Sequence, residues 1–463
     1  MAILTDLPNE LLLFIIADVS PLYIDSFTLS CKRISCLCTD TIREHDTVRS
    51  RIPSLDQNEL LRTVISNPHI ALYPKFARLR AREDSWDGGA PDDLLSEIDF
   101  QTRQNPYTTL LQHIPMETSR MAAPLLITRL LNIQKIEISV TWCQNMLRVL
   151  SNVLEASYDP IPKFRAPLPL GKLTEAHVST FANSVDGLEL SILLAALPTL
   201  RMLDVGGLER KEPYICPYQR RSSGVTEIIL GAHVDFSFLV ELIGRTNALQ
   251  RFTYNHEIHN FSAKLQPRRL TELLEQRAGH GLAYLSLLTR KGEYTAQSCL
   301  DLCRNHNDLS LGSLRGFRVL KCLVTCVDMF IKTRGYGEDG IGPVTVQRLV
   351  SWLPASLETL VLHPGLEVWD KAVLRMLFRG LRNEKQARIP NLKRINFVGF
   401  PDFDHSMPDD IKIGCRETGV RLGYTLHTCR TNCGRALELL QDWEGRPWVE
   451  ALGDCCGYID SGW

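Results

Sequence analysis

The sequence lacks a long hydrophobic run and a clear excess of charge of either sign. No stretch of its 463 residues approaches the about 18 apolar residues that a membrane-spanning helix requires. Its 52 lysine and arginine residues are balanced by 53 aspartate and glutamate residues, for a formal net charge of −1. A general binder of nucleic acid or anionic lipid would carry a basic excess. We therefore expect neither a nucleic-acid partner nor a membrane.

A secretion signal and a disulfide framework are also missing. The apolar run 11–19 has the length of a signal-peptide core, but Asp6 and Glu10 precede it and the first basic residue is Lys32. The 14 cysteines are scattered along the chain and form no short framework. This pattern is typical of reduced thiols, and we expect a cytoplasmic or nuclear location.

Motifs that carry catalysis or bind cofactors are missing as well. The chain contains no G-x-S-x-G loop, no Walker glycine–lysine loop and no H-E-x-x-H helix. Residues 335–340 spell G-x-G-x-x-G, but Glu338 and Asp339 would face the pyrophosphate and Pro343 interrupts the following helix. We therefore expect a non-catalytic chain without a cofactor.

Two groups of cysteines could in principle bind a metal ion. Cys299, Cys303 and His306 would share one face of a helix, but Ala296 and Leu300 lie beside them, and buried cysteines also pack as small apolar residues. The spacing of the C-terminal group fits no standard zinc pattern. Its members are Cys429, Cys433, Cys455 and Cys456. The sequence predicts no metal site and leaves a C-terminal zinc ion open.

The first 45 residues carry the most specific pattern that is present. Pro8 suits the start of a helix, and Glu10 places negative charge at its positive end. Apolar residues follow at four-residue spacing and almost encircle this helix, which a lone surface helix would not need. Two more helical segments follow at 22–30 and 32–45. A core of about 40 residues is marginal alone, so the pattern favours a binding partner.

The residues of this segment resemble the F-box, the helical module by which ubiquitin-ligase subunits bind a Skp-type adaptor. The matching positions are Leu7, Pro8, Glu10, Leu11, Ile15, Ile16, Val19, Ile24, Phe27, Leu29, Ser30, Cys31 and Arg33. Ser20-Pro21 stands where many F-boxes have Leu-Pro, and Tyr23 stands among positions that are often polar. The resemblance implies that the first ten matching residues, up to Leu29, bind the adaptor. An ordinary helical cap on the following domain is the alternative.

Short strand-like segments of the form L-x-x-L-x-L recur through the rest of the chain. Eight copies share this template, with anchors at Ile133/Ile136/Ile138, Leu173/Ala176/Val178, Leu200/Leu203/Val205, Val225/Ile228/Leu230, Leu249/Phe252/Tyr254, Leu282/Leu285/Leu287, Leu357/Leu360/Leu362 and Leu392/Ile395/Phe397. The middle anchors of four consecutive copies lie 27, 25 and 24 residues apart, which is the period of leucine-rich repeats. A stretched copy has Phe317, Leu320 and Leu323 as anchors, and Phe76 with Leu79 indicates a degenerate first copy.

The segments between these strands have helical patterns. They are Gln57–Ser66, 235–243, 268–276, 295–303, 344–353 and 371–381. No such unit can cover its own apolar face, so neighbours must stack. We expect an α/β fold in which a three-helix F-box precedes an irregular leucine-rich-repeat-like solenoid, with parallel strands on the concave side and helices on the convex side. This repeat region resembles that of F-box proteins of filamentous fungi.

The patterns also predict the domain boundaries. An F-box module occupies 1–45, a helical linker with the degenerate first repeat occupies 46–130, the repeat domain occupies 131–403, and a cap with a helix near 435–443 occupies 404–463. Polar residues between the strand anchors, such as Arg201, Glu227 and Arg251, are expected to line the hollow of the solenoid.

One loop of the repeat domain is basic and aromatic, which suits an acidic or phosphorylated ligand. Its candidate substrate-binding residues are Arg210, Lys211, Tyr214, Tyr218, Arg220 and Arg221. A solvated insertion is the alternative for this loop.

The resemblance implies a function for the whole chain. It would be a non-catalytic substrate-recognition subunit of a Skp–cullin–F-box ubiquitin ligase, whose partners are the adaptor, through it a cullin, and an unidentified protein substrate on the repeats. Two other classes stay open. One is a repeat scaffold or interaction protein without a ligase role, and the other is an enzyme of unrecognised type, which would require a polar pocket with perturbed titratable groups.

Overall fold

A computed structural model of the chain describes sixteen stretches of it. They are residues 4–19, 23–51, 57–81, 122–140, 144–158, 169–180, 185–209, 222–233, 236–258, 266–291, 310–333, 344–363, 371–398, 407–425, 440–442 and 447–448. The chain forms two compact units, the first from Met1–Leu208 with Arg221–Gly224 and the second from Glu209–Arg220 with Val225–Trp463.

The first unit begins with helices and continues as alternating helices and strands. Its described helices are α1 Asn9–Asp18, α2 Ile24–Thr28, α3 Lys32–Leu37, α4 Thr39–Arg51, α5 Gln57–Ser66, α6 Ala122–Arg129, α7 Gln144–Tyr158 and α8 Val185–Ala195. Its described strands are β1 Phe76–Ala81, β2 Lys135–Val140, β3 Glu175–Thr180 and β4 Met202–Glu209. These strands pair in parallel in sequence order. The predicted third helix is divided at Cys38, where α3 ends and α4 begins.

The second unit repeats the alternation. Its described helices are α9 Phe236–Arg245, α10 Pro267–Ala278, α11 Leu349–Trp352, α12 Lys371–Phe378, α13 Leu381–Arg388 and α14 Asp409–Glu417. Its described strands are β5 Glu227–His233, β6 Arg251–Ile258, β7 Tyr284–Lys291, β8 Cys322–Cys326, β9 Ile331–Thr333, β10 Val344–Val346, β11 Thr359–His363, β12 Arg394–Val398, β13 Arg421–Thr425, β14 Leu440–Asp442 and β15 Pro447–Trp448.

The strand pairing of the second unit is mostly parallel. The order β5-β6-β7-β8-β11-β12-β13 is parallel throughout, while β9 pairs antiparallel with β10 and the short β14 and β15 add antiparallel pairs after β13. The predicted α/β class, with a helical start followed by a leucine-rich-repeat-like stack of parallel strands and helices, is confirmed.

The anchors of the L-x-x-L-x-L template form the core because they stack from strand to strand. In the second unit Leu360 pairs in register with Leu323 on one side and with Ile395 on the other, and all three side chains are fully buried. Thr359 and Val361 alternate with the anchors on β11 and are half-buried. Successive strand residues point to opposite faces, so each strand has a core face and a free face.

The stretched copy has a different set of anchors from the predicted one. Leu323 pairs with Leu285, and Thr325 pairs with Leu287. The anchors are therefore Leu320, Leu323 and Thr325, and Phe317 lies before the strand, although it is also buried. Thr325 fills an apolar position because its hydroxyl lies 3.2 Å from the Met329 sulfur inside the core.

Three predicted helices differ from the structure. Residues 344–353 form strand β10 followed by the short α11, because Val344–Val346 pairs with Ile331–Thr333. Residues 371–381 form α12 and the start of α13. Gly380 adopts a left-handed conformation, with φ of 87°, and separates the two helices. The C-terminal segment near 435–443 contains strand β14 at Leu440–Asp442. The predicted helix 295–303 lies outside the described residues.

The repeat pattern continues past residue 403, because α14 packs beside β13 and β13 pairs in parallel with β12.

An ion pair lies just before strands β11 and β12, where Lys393 Nζ is 2.6 Å from Glu358 Oε2. The hydrogen bond from Lys393 lowers the pKa of the Glu358 carboxyl from its ordinary value. None of the described helices is both long and apolar enough to cross a bilayer.

Candidate protein-binding surfaces

The N-terminal helices pack around a small core of their own. Ile16, Ile24, Ile34 and Cys38 form this core, with Val19, Phe27, Cys31, Leu37 and Ile42 half-buried against it. Burial raises the pKa of the Cys38 thiol. Four of the residues predicted to bind the adaptor, Ile16, Val19, Ile24 and Phe27, therefore hold the helices together.

Polar contacts fix the arrangement of α1 and α3. The Arg33 guanidinium donates from Nε and Nη2 to Asn9 Oδ1 at 3.0 and 2.6 Å, which ties the start of α3 to the start of α1. The backbone N–H of Ile34 donates to the Cys31 sulfur at 3.4 Å, so Cys31 caps α3. Two residues of the matched pattern thus have structural roles.

The outer surface of the same helices includes several large apolar side chains. Leu11 is 49% exposed and Leu29 is 86% exposed. Four further large apolar residues of this segment are also exposed, namely Leu4, Leu13, Phe14 and Tyr23. Among the other residues predicted to bind the adaptor, Pro8 and Glu10 are exposed, and Leu7 and Ile15 are half-buried. We call the exposed set Leu11, Leu13, Phe14 and Leu29 the apolar surface.

Phe14 and Tyr23 are absent from the predicted set of adaptor-binding residues. Phe14 is 71% exposed and follows Leu11 by one helical turn, so the two lie on one side of α1. No signal in the sequence separates Phe14 from its neighbours, because apolar residues almost encircle this helix, whereas in the structure Leu12 and Ile16 are buried and Phe14 is exposed. Exposed apolar residues grouped on one module mark a surface for a partner.

Charged side chains occupy the free face of the strands in the first unit. Arg78 on β1 lies 2.6 Å from Glu137 on β2, and His177 Nδ1 on β3 lies 2.9 Å from Asp204 on β4. Glu137 is the register partner of His177. The row therefore contains two side-chain pairs across the four strands, Arg78 with Glu137 and His177 with Asp204.

The free face of the second unit has a similar row at its first strands. Arg251 Nε lies 3.1 Å from Glu227 Oε1, and the Arg251 guanidinium lies 4.5 Å from the centre of the Tyr284 ring. Glu227 and Arg251 are thus on the free face of the strands. Arg201 precedes β4 and donates to the Gly224 carbonyl at 2.8 Å.

Other predicted sites cannot be placed, because they lie outside the described residues. They are the loop residues Arg210, Lys211, Tyr214, Tyr218, Arg220 and Arg221, the glycine pattern 335–340, and the two cysteine groups. Within the part of the chain that the structure describes, no three His, Cys, Asp or Glu side chains are grouped to hold a metal ion. A small apolar void there is lined by Tyr254, Pro267, Leu270, Leu287, Leu288 and Met329.

No family model matches the chain, and no curated protein matches it. Among solved structures, a chain from the crystal structure of the Rad7 and Elc1 complex in yeast is similar at 13% sequence identity and a TM-score of 0.29, over 84% of this chain and 96% of that chain. A likeness at this level carries no argument about function.

Proposed function

We propose that this chain is a substrate-recognition subunit of a ubiquitin ligase. Its N-terminal helices bind a Skp-type adaptor and through it a cullin, and its repeat units hold a protein substrate. The chain itself performs no chemistry and acts in the cytoplasm or nucleus by bringing the substrate close to the catalytic subunits. The observation that supports this proposal best is the apolar surface, which lies on helices that resemble the F-box.

The energetic argument rests on burial. Fully burying a side chain such as Leu11 or Phe14 contributes about 1.5–3 kcal/mol. Phe14 at 71% and Leu29 at 86% exposure retain most of this contribution for a partner. The module's own core contains four fully buried side chains, which is small for an independent domain. A bound adaptor would supply the missing apolar contacts.

The substrate surface follows from the repeat strands. The free face of the second unit presents Glu227 and Arg251, and the ion pair between them and the contact of Arg251 with the buried Tyr284 ring hold the Arg251 side chain in place. Rigidly held charged side chains suit a folded or extended protein segment, because little side-chain entropy is lost on binding. The basic loop between Arg210 and Arg221, which the sequence favours as the main substrate contact, lies outside the described residues and stays a prediction.

The adaptor proposal is tested by co-purification of the full chain with a recombinant Skp-type adaptor. We expect Leu11→Asp and Phe14→Asp each to lower adaptor affinity by at least about tenfold, since each places a charge in an apolar contact. Ile413→Asp is the matched control, because Ile413 is also 49% exposed but lies on α14. Unchanged adaptor binding by both α1 variants would sink the assignment.

The same experiment separates the alternatives. A scaffold without a ligase role would retain the adaptor without recruiting a cullin. A helical cap would not retain the adaptor even in the parent chain. Adding the cullin to the purified chain and adaptor therefore distinguishes a ligase subunit, a scaffold and a helical cap, because each gives a complex of different composition.

A further inference from the structure

A strongly basic surface lies on the helices of the second unit, far along the chain from the basic loop. Residues 371–388, which we call the basic helix pair, contain six basic residues and one acidic residue. The basic residues are Lys371, Arg375, Arg379, Arg382, Lys385 and Arg388. The whole chain carries a net charge of only −1, so positive charge is concentrated here.

The fold directs these cations to solvent. Leu374, Leu377 and Leu381 are buried and turn the apolar side of α12 and α13 toward the core. Gly380 makes the turn between the helices, and a Cβ at this position would lie 2.7 Å from Glu384 Oε1. Lysine and arginine at three- and four-residue spacing then share the outer side, about one helical turn apart.

Acidic side chains of neighbouring elements compensate only part of this charge. Arg375 lies 3.3 Å from Asp410, and Arg382 Nε lies 2.5 Å from Glu417 Oε2, both on α14. Glu384, the acidic residue of the basic helix pair, is itself bound to an arginine outside the pair, since Arg348 Nη1 lies 2.6 Å from it. Among the described residues, these three carboxylates are therefore already engaged in ion pairs.

Four of the six cations make no ion pair with any residue that the structure describes. Lys385 is half-buried and donates to the Pro390 carbonyl at 3.0 Å. The other three, Lys371, Arg379 and Arg388, are exposed. Arg379 lies in the turn between Arg375 and Arg382, so an uncompensated charge stands between two compensated ones. Lys371 and Arg388 stand at the two ends of the basic helix pair, which spreads the uncompensated charge along its whole length.

Apolar side chains are also exposed on α12 and on the neighbouring α14. Met376 on α12 is 41% exposed, and Ile413 on α14 is 49% exposed. Met376 follows Arg375, and Ile413 lies one turn beyond Asp410, so each neighbours a member of the same ion pair. Single exposed apolar side chains are common on protein surfaces, but these two lie beside the ion pair that joins α12 and α14, where a partner with apolar side chains could cover them.

We propose that the basic helix pair, together with α14, binds an acidic protein segment that carries apolar side chains among its carboxylates. Carboxylates of the segment bind Lys371, Arg379 and Arg388, since arginine and carboxylate form charge-assisted pairs. Its apolar side chains cover Met376 and Ile413. This docking site is independent of the adaptor and of the free strand face.

Nucleic acid fits this surface less well. Asp409 and Asp410 on α14 are 90% and 60% exposed, and a continuous phosphate backbone would meet them with like charge. A protein segment can place its few carboxylates at the cations and avoid the two aspartates. The exposed methionine and isoleucine also find partners in a protein segment and none in a phosphate backbone.

The proposal is tested with the full chain and a fluorescein-labelled peptide of about 18 residues with a repeating Glu-Glu-Leu sequence, which supplies both groups of an acidic, amphipathic ligand. Three further probes are a Gln-Gln-Leu peptide, polyglutamate and single-stranded DNA of equal length. Fluorescence anisotropy at about 50 and about 300 mM salt gives each affinity and its dependence on screening.

We expect Lys371→Glu, Arg379→Glu and Arg388→Glu together to weaken binding of the Glu-Glu-Leu peptide by at least about tenfold, more at low salt. The matched control reverses three exposed cations elsewhere, Lys75→Glu, Arg277→Glu and Arg318→Glu, which changes net charge equally. The control should stay within about twofold of the parent, because its charges belong neither to the basic helix pair nor to α14.

Two more variants complete the test. The glutamine version, Lys371→Gln, Arg379→Gln and Arg388→Gln, removes charge without reversal and replaces the glutamate version if that fails to fold by circular dichroism. Met376→Ser with Ile413→Ser should weaken binding of the Glu-Glu-Leu peptide and leave polyglutamate unchanged.

Several results would overturn the proposal. They are no binding of the Glu-Glu-Leu peptide by the parent, equal loss in the control and test variants, equal binding of the Gln-Gln-Leu peptide, and no effect of the two serine substitutions. DNA binding that is tighter than peptide binding and is lost in the test variant would assign the surface to nucleic acid instead.

Discussion

The cysteines show how burial sets the chemistry of single residues. Burial raises the pKa of Cys326 to about 11, against the lowering effect of hydrogen bonds with Thr289. Burial also raises the pKa of Cys415 to about 12. Cys36, in contrast, is exposed on α3. The thiolate is the reactive form of cysteine, so these residues should differ sharply in reactivity.

We predict that brief alkylation near pH 8, where an ordinary thiol is partly ionised, modifies Cys36 and leaves Cys326 and Cys415 intact. Mass spectrometry of peptides after quenching measures this. As a control, all three should react in denaturant, since unfolding removes the burial. Modification of Cys326 in the folded chain as fast as that of Cys36 would contradict its burial.

The same shift has a consequence for stability. The pKa of Cys326 rises from 9.0 in the unfolded chain to about 11 in the folded one, so the unfolded chain loses its proton first. The contribution of Cys326 to the free energy of unfolding is therefore fully present below pH 9 and is lost as the pH rises through 11.

At the scale of the element, the two faces of a strand have different energetic weight. Leu360 on β11 is fully buried between Leu323 and Ile395, whereas the next residue, Val361, is half-buried on the free face. Neighbouring repeats supply most of each other's stability, so a cavity at one anchor weakens two interfaces.

We predict that Leu360→Ala lowers the free energy of unfolding by about 2–5 kcal/mol, because it leaves a cavity in the stacked core. Val361→Ala on the same strand is the matched control and should cost about 1 kcal/mol or less. Urea unfolding followed by circular dichroism measures both. Equal effects of the two substitutions would mean that the anchors are not the core of the repeats.

At the scale of the whole molecule, the N-terminal helices and the repeats have separate cores. The buried cluster of the N-terminal helices draws only on α1, α2, α3 and the residue that ends α3. Its members are Ile16, Ile24, Ile34 and Cys38. Contact with later residues includes the edge-to-face packing of His45 against Tyr73, with ring centres 5.0 Å apart. Helix α4 extends to Arg51, so a clean deletion ends there.

We predict that removing residues 1–51 shifts the melting temperature of the remainder by only a few degrees and leaves a cooperative transition, because few core contacts are lost. Removing residues 1–66 also deletes α5, whose Leu61 and Val64 are buried, and should destabilise strongly. Calorimetry measures both. Loss of cooperative unfolding in the shorter deletion would show that the helices belong to the repeat core.

The sequence by itself determined the elements with local periodicity. Helix α5 covers Gln57–Ser66 as predicted, and each of the eight L-x-x-L-x-L segments contains a strand. These features follow from side-chain spacing within a few residues, because an α-helix and a strand place apolar residues on one side with different periods. The L-x-x-L-x-L anchors, at a period near that of leucine-rich repeats, likewise predicted the α/β stack.

Only the tertiary structure decided which residues pair across the chain. Thr325 replaces a leucine anchor, and this is visible only through its register with Leu287 on the neighbouring strand. Ile16 is buried and Phe14 exposed on one apolar helix because the other helices cover one side of it. Arg375 is compensated by a carboxylate 35 residues away, and no local pattern encodes that distance. Exposure and charge compensation are properties of neighbours in space, so Phe14 on α1 and the basic helix pair were recognised as surface features only in the folded chain.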